Sequence, residues 1–190
     1  MKPTGGVVSS VVFIRGVNVG GHKTFRPSLL AKKLAHLGII NVGAAGTFVV
    51  PGGVAQRVIR AAFVGRLPFE AELMICRGSD VLDLATSEPF RSFEDLRCFV
   101  SVLSRRPAKA PHLPLCQPAG DRWEVKVIGV SGALALSLWR RLGKSPVDVN
   151  GVVEKGLGVR ATTRNWNTIL KVCGILRTAA WLPPSPAAAG

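Results

Sequence analysis

Tyrosine is absent from this 190-residue chain, acidic residues are few, and no long apolar run occurs. Only 11 Asp and Glu stand against 25 Lys and Arg, which gives a formal net charge of +14. No stretch approaches the roughly 20 apolar residues that a bilayer crossing requires, and residues 1–6 lack the apolar core of a signal peptide. We therefore expect a soluble, cytoplasmic protein without a membrane partner.

Metal-binding and catalytic spacings are also missing. The four cysteines, Cys76, Cys98, Cys116 and Cys173, lie far apart without a C-x-x-C pair, and the three histidines show no ligand spacing. No G-x-S-x-G sequence indicates a serine hydrolase. The sequence predicts no metal site and no cofactor, and it favours Cys76 as a buried, inert strand thiol.

The positive charge attracts phosphate-rich partners through ordinary electrostatics. The bases are nevertheless spread along the chain, no block of five like charges occurs, and only 8 Phe and 4 Trp can act as stacking platforms. A solvated basic surface explains this composition as well as a nucleic-acid interface does. Both interpretations stay open.

Hydrophobic patterning predicts alternating strands and helices over the first half. Residues 9–14 are β-branched and apolar and precede a glycine-rich turn. Pro27 can open a helix that Gly38 ends. Its apolar stripe is Leu29, Leu30, Leu34 and Leu37. Further predicted elements are a strand at 47–50, a helix at 54–64, a strand at 70–76 with Glu70 and Glu72 on one face, and a short helix at 81–85.

The second half repeats the mixed pattern after an interruption. Four prolines within 105–120 predict an irregular connection. Around it we predict a strand at 99–103, a hairpin of 123–130 and 133–139, and helices at 147–157 and 165–176. The sequence thus predicts an α+β protein with subdomains 1–95 and 96–177, a Pro-rich insertion at 105–120, and a disordered tail at 178–190.

The first polar cluster, Arg15 to Lys23, follows the first strand. It approximates a phosphate-binding loop, but that loop needs its lysine directly after the second glycine, and His22 intervenes here. Exposed backbone amides beside positive charge can still hold an anion. The candidate ligands are Arg15, Asn18, Gly20, Gly21 and Lys23. A structural turn, with the Asn18 side chain bonding its own backbone, stays open as the alternative.

The second polar cluster, Thr162 to Lys171, is predicted to open the last helix, with Trp166 pointing inward. Threonine and asparagine at a helix start commonly cap its first turn. The alternative is an anion site, because a helix N-terminus beside an arginine favours negative charge. The candidate ligands are Arg164, Asn165, Thr168 and Lys171.

Both clusters resemble the signatures of one family, the bacterial domain of unknown function 1697 (DUF1697). The residues that carry the resemblance are Arg15-Gly16-Val17-Asn18-Val19-Gly20-Gly21 with Lys23, Thr162-Thr163-Arg164-Asn165-Trp166-Asn167-Thr168 with Lys171, Pro89-Phe90, and Glu154-Lys155-Gly156-Leu157-Gly158. The resemblance implies two ferredoxin-like α+β subdomains with mixed or antiparallel sheets, and it implies no activity. The sequence departs from the family where Ala45 and Thr47 replace Ser and Asn, and in the hairpin at 131–141.

Two functions remain open at this point. The favoured one is a non-catalytic binding module for an anionic group, which is a phosphate, a carboxylate or a nucleic-acid backbone seated between the two clusters. The alternative is an enzyme acting on a small phosphorylated or acidic metabolite, with charge from Lys23 or Lys171. No general base is evident for the enzyme. The sequence defines neither the ligand nor the oligomeric state.

Overall fold

The computed structural model describes residues 9–16, 25–143 and 147–179. Contacts divide the chain into a first unit, residues 1–82 with 171–190, and a second unit, residues 83–170. The subdomain bounds 1–95 and 96–177 stay a prediction. Four candidate ligands lie outside the described residues, as does most of the predicted tail. These four are Asn18, Gly20, Gly21 and Lys23.

A four-stranded antiparallel sheet organises the first unit. Its elements are β1 (Ser10–Ile14), α1 (Pro27–Lys33), a 3-10 turn (Ala35–Leu37), β2 (Ile40–Asn41), β3 (Thr47–Val50), α2 (Gln56–Val64), β4 (Leu73–Arg77) and the start of α3 (Gly78–Thr86). The strand order is β2-β3-β1-β4. All five residues of β1 are buried, since β1 pairs with β3 along one edge and with β4 along the other. This is the environment that a continuous β-branched, apolar run fits.

Helices α1 and α2 cover one face of this sheet. Val12 and Phe48 from the strands share a buried cluster with Leu34, Ile59 and Phe63 from the helical side. The rings of Phe48 and Phe63 meet edge to face, with centroids 5.3 Å apart. Because the apolar sides of both helices are used in this contact, their polar residues face solvent.

A five-stranded antiparallel sheet organises the second unit. Its elements are β5 (Arg97–Leu103), β6 (Leu115–Gln117), β7 (Val125–Ser131), β8 (Leu134–Trp139), α4 (Val149–Leu157), β9 (Ala161–Asn165) and the start of α5 (Trp166–Ala179). The strand order is β6-β7-β8-β5-β9. Val153 of α4 packs with Leu103 and Ala135 of the sheet. Asp148 caps α4 by accepting hydrogen bonds from the backbone N–H groups of Asn150 and Gly151.

The predicted α+β class is confirmed, and every strand pairing in both sheets is antiparallel. The predicted hairpin is also confirmed, with Gly132 in the turn at a φ of 60°. The finer description as ferredoxin-like stays a prediction. Within the three described ranges, no helix is both long enough and apolar enough to span a membrane.

The predicted helix at 165–176 is confirmed as α5, but Thr162 and Thr163, two of the candidate caps for its first turn, do not lie at its start. Both residues belong to β9, which pairs antiparallel with β5, and α5 begins only at Trp166. Threonine is β-branched and fits a pleated edge strand as readily as a helix cap. The pairing partner lies more than 60 residues away along the chain, so local sequence could not decide between the two structures.

Other departures have local causes. The Pro-rich connection contains β6, a short edge strand whose flanking prolines lie just outside the ladder. Strand β4 begins at Leu73, so Glu70 and Glu72 precede the strand and do not share a strand face as predicted. Leu29, expected in the apolar stripe of α1, is 49% exposed.

The packing of α2 predicts different responses at two adjacent positions. Phe63→Ala removes a fully buried ring and should lower the free energy of unfolding by about 3–5 kcal/mol, since a cavity replaces the Phe48 contact. Val64→Ala, at a position that is 56% exposed, should change it by less than about 0.5 kcal/mol. Urea unfolding measures both. Equal midpoints for the two variants would show that α2 does not pack through Phe63.

Candidate functional site

Arg15 extends β1 beyond its last strand residue. Its backbone N–H donates to the carbonyl oxygen of Glu72 at 2.9 Å. Its Nη1 lies 3.9 Å from Glu72 Oε2, and about a third of each side chain is exposed. An ion pair this exposed is weak, so an anionic ligand could compete for Arg15. Gly16, with a φ of 71°, begins the predicted glycine loop.

Arg164 occupies a different environment, because it is only 8% exposed. Its Nη1 donates to Thr162 Oγ1 at 2.8 Å and to the Thr163 carbonyl oxygen at 2.9 Å. Burial disfavours the charged form and lowers the pKa of Arg164 from its ordinary value to about 10. The guanidinium therefore stays charged at neutral pH and bonds within its own strand. A role in ligand binding stays a prediction.

Asn165 and Thr168 are brought together at the start of α5. Asn165 Oδ1 accepts hydrogen bonds from the Thr168 backbone N–H at 2.8 Å and from Thr168 Oγ1 at 2.9 Å. This is the geometry of a helix N-cap, so the capping interpretation is confirmed. Lys171 is exposed, and contacts assign it to the first unit.

The second unit has an open groove of about 1030 Å³ beside this cap. We call it the aromatic groove, because Phe90 and Trp166 meet there edge to face with centroids 5.0 Å apart. Its charged lining residues are Glu88, Arg91, Glu94 and Arg97. Arg91 Nη1 lies 3.2 Å from Glu88 Oε2. With two acids and two bases, the aromatic groove has no net charge that would select an anion.

The first unit has a smaller groove of about 430 Å³, which we call the basic groove. Its lining residues are Phe25, Arg26, Leu29, Leu30, Lys33, Arg66, Leu67 and Pro68. Three of these eight residues carry positive charge and none carries negative charge. Phe25, one of its lining residues, follows the first polar cluster in the sequence with one residue between them.

The sequence analysis missed the basic groove although a signal for it was present. The first 69 residues contain nine Lys and Arg and no Asp or Glu. The first unit has twelve bases and three acids, a net charge of +9, whereas the second has thirteen bases and eight acids, a net charge of +5. A search for runs of consecutive Lys and Arg overlooks this asymmetry. Counting Asp and Glu along the sequence reveals it, because the first 69 residues contain none.

The two buried cysteines, Cys76 and Cys173, are poorly suited to act as nucleophiles. Burial, with a smaller contribution from Asp80, raises the pKa of Cys76 from 9.0 to about 12. Cys173 is 1% exposed, its Sγ lies 3.8 Å from the Val81 carbonyl oxygen, and burial also raises its pKa. The expected burial of Cys76 is confirmed. Because the reactive species is the thiolate, the raised pKa supports the prediction that this thiol is inert.

These features define a class, a basic α+β protein built on two antiparallel sheets. A family model described as "Protein of unknown function (DUF1697)" matches residues 8–130. The match spans more than half of the chain, and the chain belongs to this family. The resemblance inferred from the two polar clusters is thereby confirmed.

One solved structure to which the chain is similar is the conserved bacterial protein SP0830 from Streptococcus pneumoniae. The TM-score is 0.55 at 17% sequence identity, and the likeness covers 90% of this chain and 99% of that one. At this identity the likeness shows the fold alone. No curated protein matches the chain.

The cap geometry predicts different responses to two matched substitutions in α5. Asn165→Ala removes the acceptor of the Thr168 N–H and should lower the free energy of unfolding by about 1 kcal/mol. Asn167→Ala, an exposed asparagine in the same turn, should change it by less than about 0.5 kcal/mol. Urea unfolding compares them. If Asn167→Ala proves the more damaging change, the N-cap assignment is incorrect.

Burial also predicts the order of thiol alkylation. Iodoacetamide at about pH 8 should modify the partly exposed Cys116 in the native protein and should leave Cys76 and Cys173 unmodified until denaturant is added. Mass spectrometry of peptides from native and unfolded samples reads out each site. Native modification of Cys76 at the rate of Cys116 would contradict the burial of β4.

Proposed function

We propose that the protein is a non-catalytic binding module for an anionic group, which is a phosphate, a carboxylate or a nucleic-acid backbone, and that the basic groove holds that group. A single observation carries the proposal. Arg26, Lys33 and Arg66 line one concavity of the first unit, and no acidic residue lines it with them. Charge-assisted hydrogen bonds from such groups are roughly twice as strong as neutral ones.

The three cationic side chains are available to a ligand. Arg26, Lys33 and Arg66 are exposed, and their side chains make no hydrogen bond or ion pair to any other described residue. Arg60 provides the contrast, because its Nη1 donates to the Leu73 carbonyl oxygen at 3.2 Å. The positive charge of the basic groove is therefore not neutralised from within the described residues.

The walls of the basic groove are fixed by the core. Leu30 is 4% exposed and joins the cluster beneath α1. The Phe25 ring is held edge to face against Phe69, with centroids 5.7 Å apart. Because α1 and the Phe25 wall cannot shift without disturbing this core, ligand binding requires little backbone rearrangement, and its entropic cost is confined mainly to the Arg and Lys side chains.

The proposal draws on the first polar cluster and not on the second. Gly20, Gly21 and Lys23 lie five, four and two residues before Phe25 in the sequence, and we propose that they contribute backbone amides and one further cation to the same anion. The capping role of Asn165 and the burial of Arg164 explain the second cluster without a ligand. The function therefore does not require the two clusters to share one site.

The proposal predicts that removing the three groove charges abolishes anion binding. Inorganic phosphate, pyrophosphate or citrate should stabilise the wild-type protein, and at 100 times Kd the gain is about 2.7 kcal/mol. The triple variant Arg26→Gln/Lys33→Gln/Arg66→Gln should bind the same anions at least about tenfold more weakly, a difference of roughly 1.4 kcal/mol. Calorimetric titration measures each Kd.

A matched control separates a site from net charge. Lys109→Gln/Arg122→Gln/Lys155→Gln removes three exposed charges from the second unit and should leave anion affinity nearly unchanged. Equal weakening in both triple variants would mean that overall charge, and not the basic groove, attracts the anion. If none of the three anions binds the wild-type protein, the proposed function is wrong.

A further inference from the structure

We propose that the anion is the phosphate backbone of duplex nucleic acid, and that the duplex lies across the outer faces of α1 and α2 as well as over the basic groove. This inference rests on the proposed function of the basic groove and specifies its ligand. The surface involved, which we call the helical face, is formed by those exposed lysine and arginine side chains of α1, of α2 and of the flanking segments that make no hydrogen bond to another described residue, which leaves out Arg60. These bases are Arg26, Lys32, Lys33, Arg57 and Arg66.

The helical face lies on one side of the four-stranded sheet. Leu30 and Leu34, in and just after α1, share a single buried cluster with Ile59 and Phe63 of α2, on the same side of the sheet. Their exposed sides therefore point away from the sheet together. No Asp or Glu occurs anywhere from residue 25 to residue 69, so no acid on these elements offsets the five bases.

The number of free bases exceeds what a small anion can use. The basic groove contains three of them, whereas Lys32 and Arg57 lie outside its lining. Within the described ranges neither of these two side chains has a protein partner. A phosphate seated in the groove leaves both charges uncompensated. A duplex carries one negative charge per roughly 1.7 Å of axis and can neutralise the groove and the outlying bases together.

The aromatic side chains of this layer argue for backbone contacts over base stacking. Phe25 is 9% exposed, and Phe48 and Phe63 are fully buried, so they offer no ring face to an unpaired base. Proteins that hold single strands without sequence preference use exposed aromatic platforms. A surface with cations and without such platforms fits a duplex, whose bases are already stacked.

The apolar side chains argue against a lipid surface as the partner. An interfacial helix buries its apolar face in the membrane, but the apolar faces of α1 and α2 are already buried against the sheet. The exposed aliphatic residues Leu29, Val58 and Val64 are isolated from one another among lysine and arginine side chains, which is ordinary for a protein surface. Charge is therefore the main attraction that the helical face offers.

The test is the salt dependence of binding to a fluorescent duplex of about 20 base pairs and arbitrary sequence. Each phosphate contact contributes about −0.9 to the slope of log K against log salt concentration. If each of the five lysine and arginine side chains makes one such contact, the slope should be about −4.5 between roughly 50 and 200 mM salt. The variant Lys32→Gln/Arg57→Gln should reduce the magnitude of that slope by about 2. The control Lys109→Gln/Arg122→Gln should leave it unchanged. A second duplex of different sequence should bind with the same Kd.

Each other outcome has a defined meaning. The wild-type protein could bind inorganic phosphate in calorimetry and yet bind the duplex more weakly than a Kd of about 10⁻⁴ M. That result overturns this inference and leaves the proposed function intact. Binding of phosphatidylserine vesicles in place of the duplex overturns it in favour of a membrane surface. Tighter binding of a single strand than of the duplex overturns the argument from buried aromatics. A slope that falls equally in the control variant shows that the helical face is not the site.

Discussion

Both faces and both edges of β1 are buried, and the rest of the first unit is arranged around that burial. Its β-branched, apolar sequence can satisfy its backbone only between two partner strands, which β3 and β4 provide. One face of the resulting sheet then needs a cover, and α1 and α2 use their apolar sides to supply it. The bases of those helices are left facing solvent. Burial of the apolar sides of α1 and α2 therefore stabilises the unit and also leaves their Lys and Arg residues exposed to solvent.

That display has an energetic consequence. A unit with a net charge of +9 repels itself, and self-repulsion opposes the compact state. Structural ion pairs would reduce the repulsion, yet the acids of the first unit are only Glu70, Glu72 and Asp80, and Glu72 lies beside Arg15. The helical face therefore lacks the intramolecular counter-charges that the second unit has, for example between Glu88 and Arg91. A bound polyanion would supply them from outside.

The sequence predicted the helices and strands whose bounds are determined by neighbouring residues in the chain. The strand at 47–50 agrees with β3 because its β-branched run ends at Pro51-Gly52-Gly53, and α1 begins at Pro27 because that residue is preset for a first helical turn. The short strands β2, β6 and β9 were not predicted, since each is defined by a partner strand and not by its own pattern. The basic groove likewise combines residues from α1 and from the segment after α2, which only the fold brings together.

The arginines show most clearly why a sequence cluster is not yet a site. Arg164 and Arg15 belong to the two polar clusters of the sequence, but Arg164 is buried within β9 and Arg15 lies beside the Glu72 carboxylate. Desolvation lowers the pKa of Arg164 to about 10, which is the mark of a guanidinium held by the fold. Substituting it would disturb β9 before it disturbed any ligand. The groove cations that we propose to bind an external anion, Arg26, Lys33 and Arg66, belong to no predicted cluster. Their exposure and the absence of acidic neighbours among the described groove residues distinguish them, and both properties depend on the folded chain.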